Sequence, residues 1–338
     1  MSYNVDDYKE PPYDFEIERI VEEIKRVKAR KILIQLPDGL KIYSRYIYEE
    51  LARRVDVEIN FSGDSAWGSC LLNDVESERG GYDLLVHIGH MPYPYYRSRS
   101  KVLFIPAYSR IDIDEDLLKK ASEEIERHNA RKIAIFTTIQ HEKLLPKVSR
   151  YMSQRYEVIS PNKGPIVMGC EYSSPISVRD RVDLYLIISG GVFHALGLGL
   201  AVYGKPVIKI DPYERKIVDL SYEINKIYKI RIYKIHQASE ARNWILIDGV
   251  RGQNRSWYRK YLENLLRERN REYIVYISEI INRDLLYNID SRWAEAYVIL
   301  ACPRIPIDDL WDFPKPVLTP GEARIALNGG SKGYSFPW

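Results

Sequence analysis

A short motif recurs three times along this chain of 338 residues and constrains its fold more than any other feature. The motif is ARKILI at residues 29–34, ARKIAI at residues 130–135 and ARNWILI at residues 241–247, so the copies divide the chain into thirds. Each copy leads into a short apolar run with β-strand character, and a segment with helical periodicity follows after a loop. The chain is therefore predicted to contain three βα repeats of about a hundred residues, a common domain size.

The first two repeats stay similar beyond the motif. Second strands are predicted at residues 55–61 and 156–160. Helical segments are predicted at residues 40–54 and 141–154, and in the third repeat at residues 256–269. In both repeats the second strand is followed by a loop that ends in a cysteine, Cys70 or Cys170. A third strand then begins at Asp83 or Asp183, and the interval from cysteine to aspartate is the same in both repeats. The two cysteines are thus predicted to occupy equivalent positions.

The third cysteine, Cys302, reaches its place by a different spacing. It directly follows a predicted strand at residues 296–301 and lies further from Ala241 than Cys70 lies from Ala29 or Cys170 from Ala130. Its loop still follows the carboxyl end of a strand, which is where parallel α/β sheets usually bind ligands. Strands that alternate with helices also imply parallel sheets with right-handed crossovers.

We therefore expect an α/β protein made of three similar Rossmann-like βα domains. Their parallel sheets are predicted to be arranged around a central site with pseudo-threefold symmetry. The predicted domains are residues 1–106 with Cys70, residues 107–212 with Cys170, and residues 213–338 with Cys302. This arrangement would bring three thiolates to one point.

Composition excludes several classes of protein. Hydrophobic residues make up 45% and charged residues 29%, which is typical of a globular chain. The net charge, 50 minus 47, is only +3, so no nucleic-acid partner is expected. The three cysteines are too far apart for a disulfide framework, and residues 1–15 do not resemble a signal peptide, which favours a cytoplasmic protein. Residues 184–204 lack charge and could span a membrane, but Gly190 and Gly191 favour a strand, turn and helix instead.

The pattern of thiols favours one kind of metal centre. Three cysteines without a nearby fourth ligand suit a 4Fe-4S cluster with one open iron, whereas structural zinc takes four ligands at short paired spacings. His87 and His90 are candidates for a further ligand, although we favour the alternative that they end a buried strand. Three unrelated buried thiols are the other alternative, and the repeat argues against it.

Several short motifs carry a resemblance to a known family. They are LPDGL at residues 36–40, GD at 63–64, WGSC at 67–70, GGVFHALG at 190–197, KPV at 205–207, DPY at 211–213, GQ at 252–253, ACPR at 301–304 and PVLTP at 316–320. In this order, and together with all three cysteines, they resemble the diphthamide synthase family in its archaeal form. The resemblance extends from about residue 31 to about residue 327.

The resemblance implies a radical enzyme that binds S-adenosylmethionine at the open iron of a 4Fe-4S cluster. One electron cleaves the bond from sulfur to Cγ, and the 3-amino-3-carboxypropyl group passes to C2 of a histidine imidazole in elongation factor 2. This is the first step of diphthamide biosynthesis. The resemblance also implies a homodimer, with Cys70, Cys170 and Cys302 as the cluster ligands.

Further residues follow predicted strands and are candidates for the S-adenosylmethionine pocket. They are Asp38, Gly39, Gly190, Gly191 and Gln253, each of which is also a common turn residue. Arg304 is expected beside the cluster or the methionine carboxylate, or else it is an ordinary surface or packing arginine.

Two other functions remain open at this point. A quinolinate-synthase-like dehydratase would use the open iron as a Lewis acid, and a non-catalytic subunit would bind a cluster without cleaving S-adenosylmethionine.

Overall fold

The computed structural model describes residues 10–329 and 333–338. The chain divides into two compact units, residues 1–111 with 139–143, and residues 112–138 with 144–338. The first unit contains one four-stranded sheet and the second contains two sheets of five and four strands. Parallel pairing dominates all three, which confirms the predicted α/β class.

The first unit is built around a four-stranded parallel sheet. The elements of this unit are β1 (Tyr13–Asp14), α1 (Ile17–Val27), β2 (Lys31–Gln35), α2 (Ser44–Ala52), β3 (Glu58–Phe61), α3 (Asp74–Arg79), β4 (Leu84–Ile88), β5 (Val102–Ile105) and β6 (Tyr108–Ser109). Strands β1 and β6 pair with each other outside the four-stranded sheet. Helices α1 and α2 bury Ile20, Ile24 and Ile47 against β2 and β4. Strand β4 is buried along its whole length, as expected for a central parallel strand.

The second unit begins with a five-stranded sheet. Its elements are α4 (Glu115–Arg127), β7 (Lys132–Thr137), α5 (Leu145–Met152), β8 (Glu157–Val158), α6 (Ser173–Ile176), β9 (Leu184–Ile188), α7 (Phe193–Ala201), β10 (Val207–Asp211) and β11 (Lys216–Asp219). Strand β11 pairs antiparallel with β10. The second sheet therefore continues to Asp219, beyond residue 212 where we predicted a boundary, because a tight turn after Asp211 returns the chain along the sheet edge.

The third sheet lies in the same unit. Its elements are α8 (Ser221–Ser239), β12 (Asn243–Asp248), α9 (Ser256–Glu268), β13 (Glu272–Ile277), α10 (Arg283–Ile289), β14 (Ala296–Ile299), α11 (Ile305–Asp308), β15 (Val317–Leu318) and α12 (Pro320–Leu327). Helices α8, α9 and α12 pack on one face, where Trp244 and Leu262 are fully buried. No helix in the described ranges is long and apolar enough to cross a membrane.

The three sheets share strand order and register. Their parallel strands follow the orders β3-β2-β4-β5, β8-β7-β9-β10 and β13-β12-β14-β15. The fourth residue of each motif copy faces the first residue of the third strand, and these pairs are Ile32 with Leu84, Ile133 with Leu184, and Trp244 with Ala296. The repeat seen in the sequence is therefore a repeat of sheet architecture.

One carboxylate in each repeat fixes the start of the sheet. Asp83 accepts hydrogen bonds from the backbone N–H groups of Arg30 and Lys31, at 2.7 and 3.0 Å. Asp183 and Glu295 accept the equivalent pairs of bonds in the second and third repeats. Glu295 is thus the counterpart of the two aspartates, a match that the sequence hides because the residue type differs.

This match explains the unusual spacing of Cys302. Cys70 and Cys170 come before the aspartates of their repeats, whereas Cys302 comes after Glu295. The residues at the same offset after Asp83 and Asp183 are His90 and Gly190. Cys302 therefore follows the third strand of its repeat instead of the second strand, although both places are at the carboxyl end of the sheet.

Candidate functional site

Cys70 lies in a short 3-10 helix, Ser69–Leu71, between β3 and α3, and it is half-buried. Its segment is attached to the end of β2 by Gln35, a fully buried side chain. Gln35 Nε2 donates to the carbonyl oxygen of Leu71 at 2.8 Å, and Gln35 Oε1 accepts from the backbone N–H of Asn73 at 3.1 Å. The amide thus holds both sides of the turn that carries Cys70.

His87 and His90 lie at the end of β4. His87 is fully buried, and its Nδ1 is 2.9 Å from Gln35 Oε1. Its Nε2 is 3.0 Å from His90 Nδ1, with the ring centroids 5.2 Å apart and the ring planes inclined by 28°. The two histidines therefore bind each other, which their spacing in the sequence did not predict.

Asp38 and Gly39 begin a 3-10 helix directly after β2. Asp38 is exposed and accepts from Lys41 Nζ at 2.7 Å and from Ser65 Oγ at 2.9 Å. These two bonds lower the pKa of its carboxyl group. A Cβ on Gly39 would meet no atom within 4 Å, so there is open space beside this residue.

Cys170 lies at the tip of a tight turn in the second unit. The N–H of Glu171 donates to the oxygen of Met168 at 3.4 Å, so Gly169 and Cys170 are the central residues. The carbonyl oxygen of Cys170 accepts from the indole Nε1 of Trp338 at 3.3 Å. A Cβ on Gly169 would collide with Phe193 Cε1, so the ring of Phe193 packs directly on this turn.

Cys302 comes three residues after the end of the third strand of its own repeat, and Arg304 comes two residues later. Arg304 is buried, with only 2% of its surface exposed, so the alternative of a surface arginine is wrong. Its Nε and Nη2 donate to the two carboxylate oxygens of Asp308 at 2.7 and 2.9 Å. Its guanidinium carbon lies 4.2 Å from the centroid of the Phe193 ring. Phe193 therefore links the Cys170 turn to the Cys302 segment.

Near Cys170 and Cys302, the hydroxyl of Tyr172 and Nη1 of Arg304 are buried hydrogen-bond donors with no partner among the described residues. Burial raises the pKa of Tyr172, Arg304 opposes that rise, and Cys170 and Cys302 add to it, so both thiols lie within electrostatic reach of the hydroxyl. These two donors are free to bind a negatively charged or polar group.

Gly197 on α7 makes room for both donors. A Cβ at this position would overlap the Tyr172 hydroxyl oxygen and would lie 2.5 Å from Arg304 Nη1. Gly197→Ala is therefore expected to displace one or both side chains and to cost about 1–3 kcal/mol of stability, measured by thermal unfolding. The double variant Gly197→Ala with Tyr172→Phe should recover part of this loss, because the hydroxyl that collides is removed. An unchanged melting temperature for Gly197→Ala alone would contradict this packing.

The predicted glycine turn follows β9. Gly191 has φ of +63°, in the left-handed region that favours glycine. Its N–H donates to Asp211 Oδ2 at 3.2 Å, and Lys209 Nζ donates to the same oxygen at 2.8 Å. A Cβ on Gly190 would lie 2.8 Å from the Tyr213 ring. The DPY motif at residues 211–213 thus shapes the turn at residues 190–191.

Gln253 ends a 3-10 helix, Arg251–Gln253, that follows β12, and it is buried. The loop is organised by Asp248, whose Oδ1 accepts from the backbone N–H groups of Gly249 and Arg255 at 2.9 and 2.8 Å. Burial raises the pKa of Asp248 against the effect of these bonds. Gln253 is thus at the carboxyl edge of the third sheet, as predicted.

A buried ion pair supports the segment that carries Cys302. Arg231 on α8 binds both carboxylate oxygens of Glu322 on α12, at 2.8 and 2.5 Å. Its guanidinium also donates to the backbone oxygens of Pro306 and Val317 at 2.9 and 2.6 Å. Neither Arg231 nor Glu322 belongs to a motif that the sequence singled out.

A second group of possible metal-binding side chains lies at Glu124, His128 and Asp219. His128 Nε2 is 2.9 Å from Asp219 Oδ2, and Glu124 accepts from Arg127 at 2.7 Å. Each member already has a protein partner, so we assign no metal to it.

Comparison with known proteins decides the family. The model of the Diphthamide_syn family, the diphthamide synthesis proteins, matches residues 36–336, which include all three cysteines. The chain belongs to the diphthamide synthase family. Its relatives in this family include the 2-(3-amino-3-carboxypropyl)histidine synthase of Pyrococcus horikoshii, 32% identical over 94% of this chain and 91% of that protein. Subunit 1 of the human 2-(3-amino-3-carboxypropyl)histidine synthase is 30% identical over 96% of this chain and 74% of that protein.

A solved structure from the diphthamide synthase family has the same fold. It is the crystal structure of Dph2 from Pyrococcus horikoshii with a 4Fe-4S cluster, which matches with a TM-score of 0.83 and 31% identity. The match covers 96% of this chain and 94% of that chain. The family resemblance deduced from the motifs is therefore confirmed over nearly the whole chain.

Within this diphthamide synthase, the second unit brings Cys170, Arg304 and Phe193 together around one point. The sequence identified the first two as site residues, included Phe193 only as part of the motif at residues 190–197, and missed Tyr172 and Trp338. The i, i+4 spacing between Arg304 and Asp308, typical of an ion pair on one helix face, was the available signal for the partner of Arg304.

Proposed function

We propose that this chain is a 2-(3-amino-3-carboxypropyl)histidine synthase. It transfers the 3-amino-3-carboxypropyl group of S-adenosylmethionine to a histidine, the first step of diphthamide biosynthesis. The observation that carries this proposal is the family match over residues 36–336, supported by a cluster-containing neighbour of the same fold. The cofactor is a 4Fe-4S cluster and S-adenosylmethionine is the substrate.

The ligands of the cluster are proposed to be Cys70, Cys170 and Cys302. The donor set fits, because all three thiols are half-buried and thiolates are the usual ligands of such clusters. A buried arginine with one nitrogen unpaired also fits, because a cluster with three thiolates is negatively charged. When bound, the cluster supplies the electron that cleaves S-adenosylmethionine.

We also propose that the three similar sheets represent three repeats around this cluster. The common strand order, the common register and the capping carboxylates Asp83, Asp183 and Glu295 support three repeats. Each repeat contributes one cysteine from the carboxyl edge of its sheet, which supports a single shared centre.

The proposed S-adenosylmethionine pocket uses the loops at the same edges. Asp38 and Gly39 follow β2, Gly190 and Gly191 follow β9, and Gln253 follows β12. Arg304 acts there through the buried guanidinium that contacts Phe193 and Asp308. Because its carboxylate partner is already Asp308, we assign Arg304 to the cluster side of the pocket and not to the methionine carboxylate.

The protein acceptor is proposed to be elongation factor 2, the protein on which diphthamide is made. We propose that the reaction takes place in the cytoplasm, where elongation factor 2 acts, and that the enzyme is a homodimer. An external donor supplies the electron that reduces the cluster.

Anaerobic reconstitution tests this function. The chain is loaded with iron and sulfide, reduced with dithionite, and supplied with S-adenosylmethionine and recombinant elongation factor 2. The expected products are methylthioadenosine, measured by chromatography, and a 3-amino-3-carboxypropyl adduct on one histidine, measured by mass spectrometry.

Each alternative gives a different result. Absence of S-adenosylmethionine cleavage by a fully loaded protein would refute the mechanism and would favour a non-catalytic cluster-binding subunit or a dehydratase. Cleavage without an adduct would leave the mechanism in place and make the acceptor wrong.

A further inference from the structure

A chain of buried side chains in the first unit determines where the protons of two histidines lie. Gln35 donates its Nε2–H to Leu71 and accepts at Oε1 from Asn73, so its amide orientation is fixed. Oε1 faces His87 Nδ1 at 2.9 Å. An amide oxygen only accepts hydrogen bonds, so Nδ1 of His87 carries a proton.

The second proton follows from the first. Burial, together with the neighbouring His90, holds the pKa of His87 well below its usual value, and burial lowers the pKa of His90 to about 4. Both rings are therefore neutral near pH 7 and carry one proton each. His87 Nε2 must accept, so His90 Nδ1, 3.0 Å away, donates. Nε2 of His90 is left with its lone pair.

The backbone builds this arrangement. Gly89 lies between β4 and His90 and has φ of +92°, a backbone conformation that residues other than glycine rarely adopt. A Cβ on Gly89 would also lie 2.8 Å from Pro37 Cγ. The sharp bend folds the His90 ring back onto the His87 ring, so the direction of the lone pair is set by the fold.

His90 follows β4 at the edge of the sheet that carries Cys70. His90 holds the position in the first repeat that Cys302 holds in the third, at the same offset after the capping carboxylate. Gln35 connects the histidines to Leu71, the neighbour of Cys70. The carboxylate of Asp38 at this edge is already bound by Lys41 and Ser65.

The transfer reaction needs a proton acceptor after the new bond forms. When a carbon radical adds to C2 of the acceptor imidazole, the ring keeps its hydrogen at C2 and becomes a radical. Aromaticity returns only when one proton and one electron leave. The electron can return to the oxidised iron-sulfur cluster, which gave up one electron when S-adenosylmethionine was cleaved, so the electrons balance. The proton requires a base.

We propose that Nε2 of His90 accepts the proton that leaves C2 of the acceptor imidazole, an inference that rests on the proposed function. The C–H bond at C2 breaks, its electron pair restores the aromatic ring as one electron leaves, and the proton binds the lone pair of His90. The protonated ring keeps its Nδ1–H bond to His87, so no side chain has to rotate. A weak base suffices, because the ring radical gains aromaticity when it loses the proton.

The partition between two products tests this role. In the reconstituted enzyme, His90→Asn keeps an amide that can donate to His87 but removes the basic nitrogen. We expect cleavage to methylthioadenosine to stay within about threefold of the unmodified enzyme, while adduct per methylthioadenosine falls at least about 100-fold, the lower end of the range for loss of an acid–base group. His128→Asn is the matched control, and it should leave the ratio unchanged.

A second measurement does not depend on turnover. The full chain, labelled with 15N in its histidines and free of cluster, should show His87 and His90 as Nδ1–H tautomers in long-range proton–nitrogen spectra. Protonation of His90 at Nε2 would overturn the proposal, as would an unchanged product ratio in His90→Asn. Equal loss of both products would also overturn it, because His90 would then act before cleavage. Failure of the proposed function differs from all of these, since the unmodified enzyme would form no methylthioadenosine.

Discussion

Cys302→Ala is expected to prevent assembly of a stable 4Fe-4S cluster and to reduce adduct formation at least about 100-fold. Residues outside the ligand shell of a metal commonly change affinity or activity by about 10- to 100-fold, so the loss of a ligand should cost no less. The sequence spacing supports this cysteine less directly than the other two, which makes it the most informative one to change.

The fold itself should tolerate the change. Cys302 is half-buried, and its backbone oxygen, which the substitution keeps, accepts from Ile305 N at 3.2 Å. The unfolding temperature of the cluster-free variant should therefore stay close to that of the cluster-free parent. Iron and sulfide content and the electron paramagnetic resonance signal after reduction measure the cluster. A normal signal with normal turnover would make the three-ligand proposal untenable.

Arg231→Met is expected to produce the largest loss of stability, about 3–5 kcal/mol. The change leaves the carboxylate of Glu322 buried without its cation, and only Thr319 N and the Tyr334 hydroxyl still donate to it among the described residues. It also removes the donors to Pro306 and Val317 that hold the Cys302 segment. The measurement is chemical or thermal unfolding of the cluster-free protein.

Two further variants separate these causes. Arg231→Met with Glu322→Gln removes both charges and should recover more than half of the loss, because the pair then leaves no buried charge. Lys120→Met is the control, because it breaks an exposed ion pair between Lys120 and Asp116. It should change the free energy of unfolding by less than about 1 kcal/mol. If the double variant were as unstable as the single one, the backbone bonds to Pro306 and Val317 would outweigh the ion pair.

The repeat and its cysteines could be predicted because they depend on local sequence. The motif copies mark strands whose apolar residues are buried on both faces, and the spacing from Cys70 to Asp83 recurs from Cys170 to Asp183. The third repeat escaped this comparison, because its capping residue is a glutamate and its cysteine follows a different strand. Only hydrogen bonds to Arg242 and Asn243 identify Glu295 as the counterpart.

The rest of the site depends on contacts between distant segments. Phe193 meets Gly169 and Arg304, and Trp338 meets Cys170, across separations that no local pattern encodes. His87 and His90 are three residues apart, a spacing that places side chains on opposite faces of an extended strand. The left-handed bend at Gly89 brings the two rings together instead.

The capping carboxylates leave each sheet with two ends of different character. Asp83, Asp183 and Glu295 clamp the amino ends of the paired strands by the same two bonds in every repeat. At the carboxyl end of the sheet, the equivalent position carries an imidazole in the first repeat, a glycine in the second and a thiol in the third. The strands keep the same order in all three sheets. The three repeats can therefore differ in the chemistry of their carboxyl-end loops while they keep the same sheet architecture.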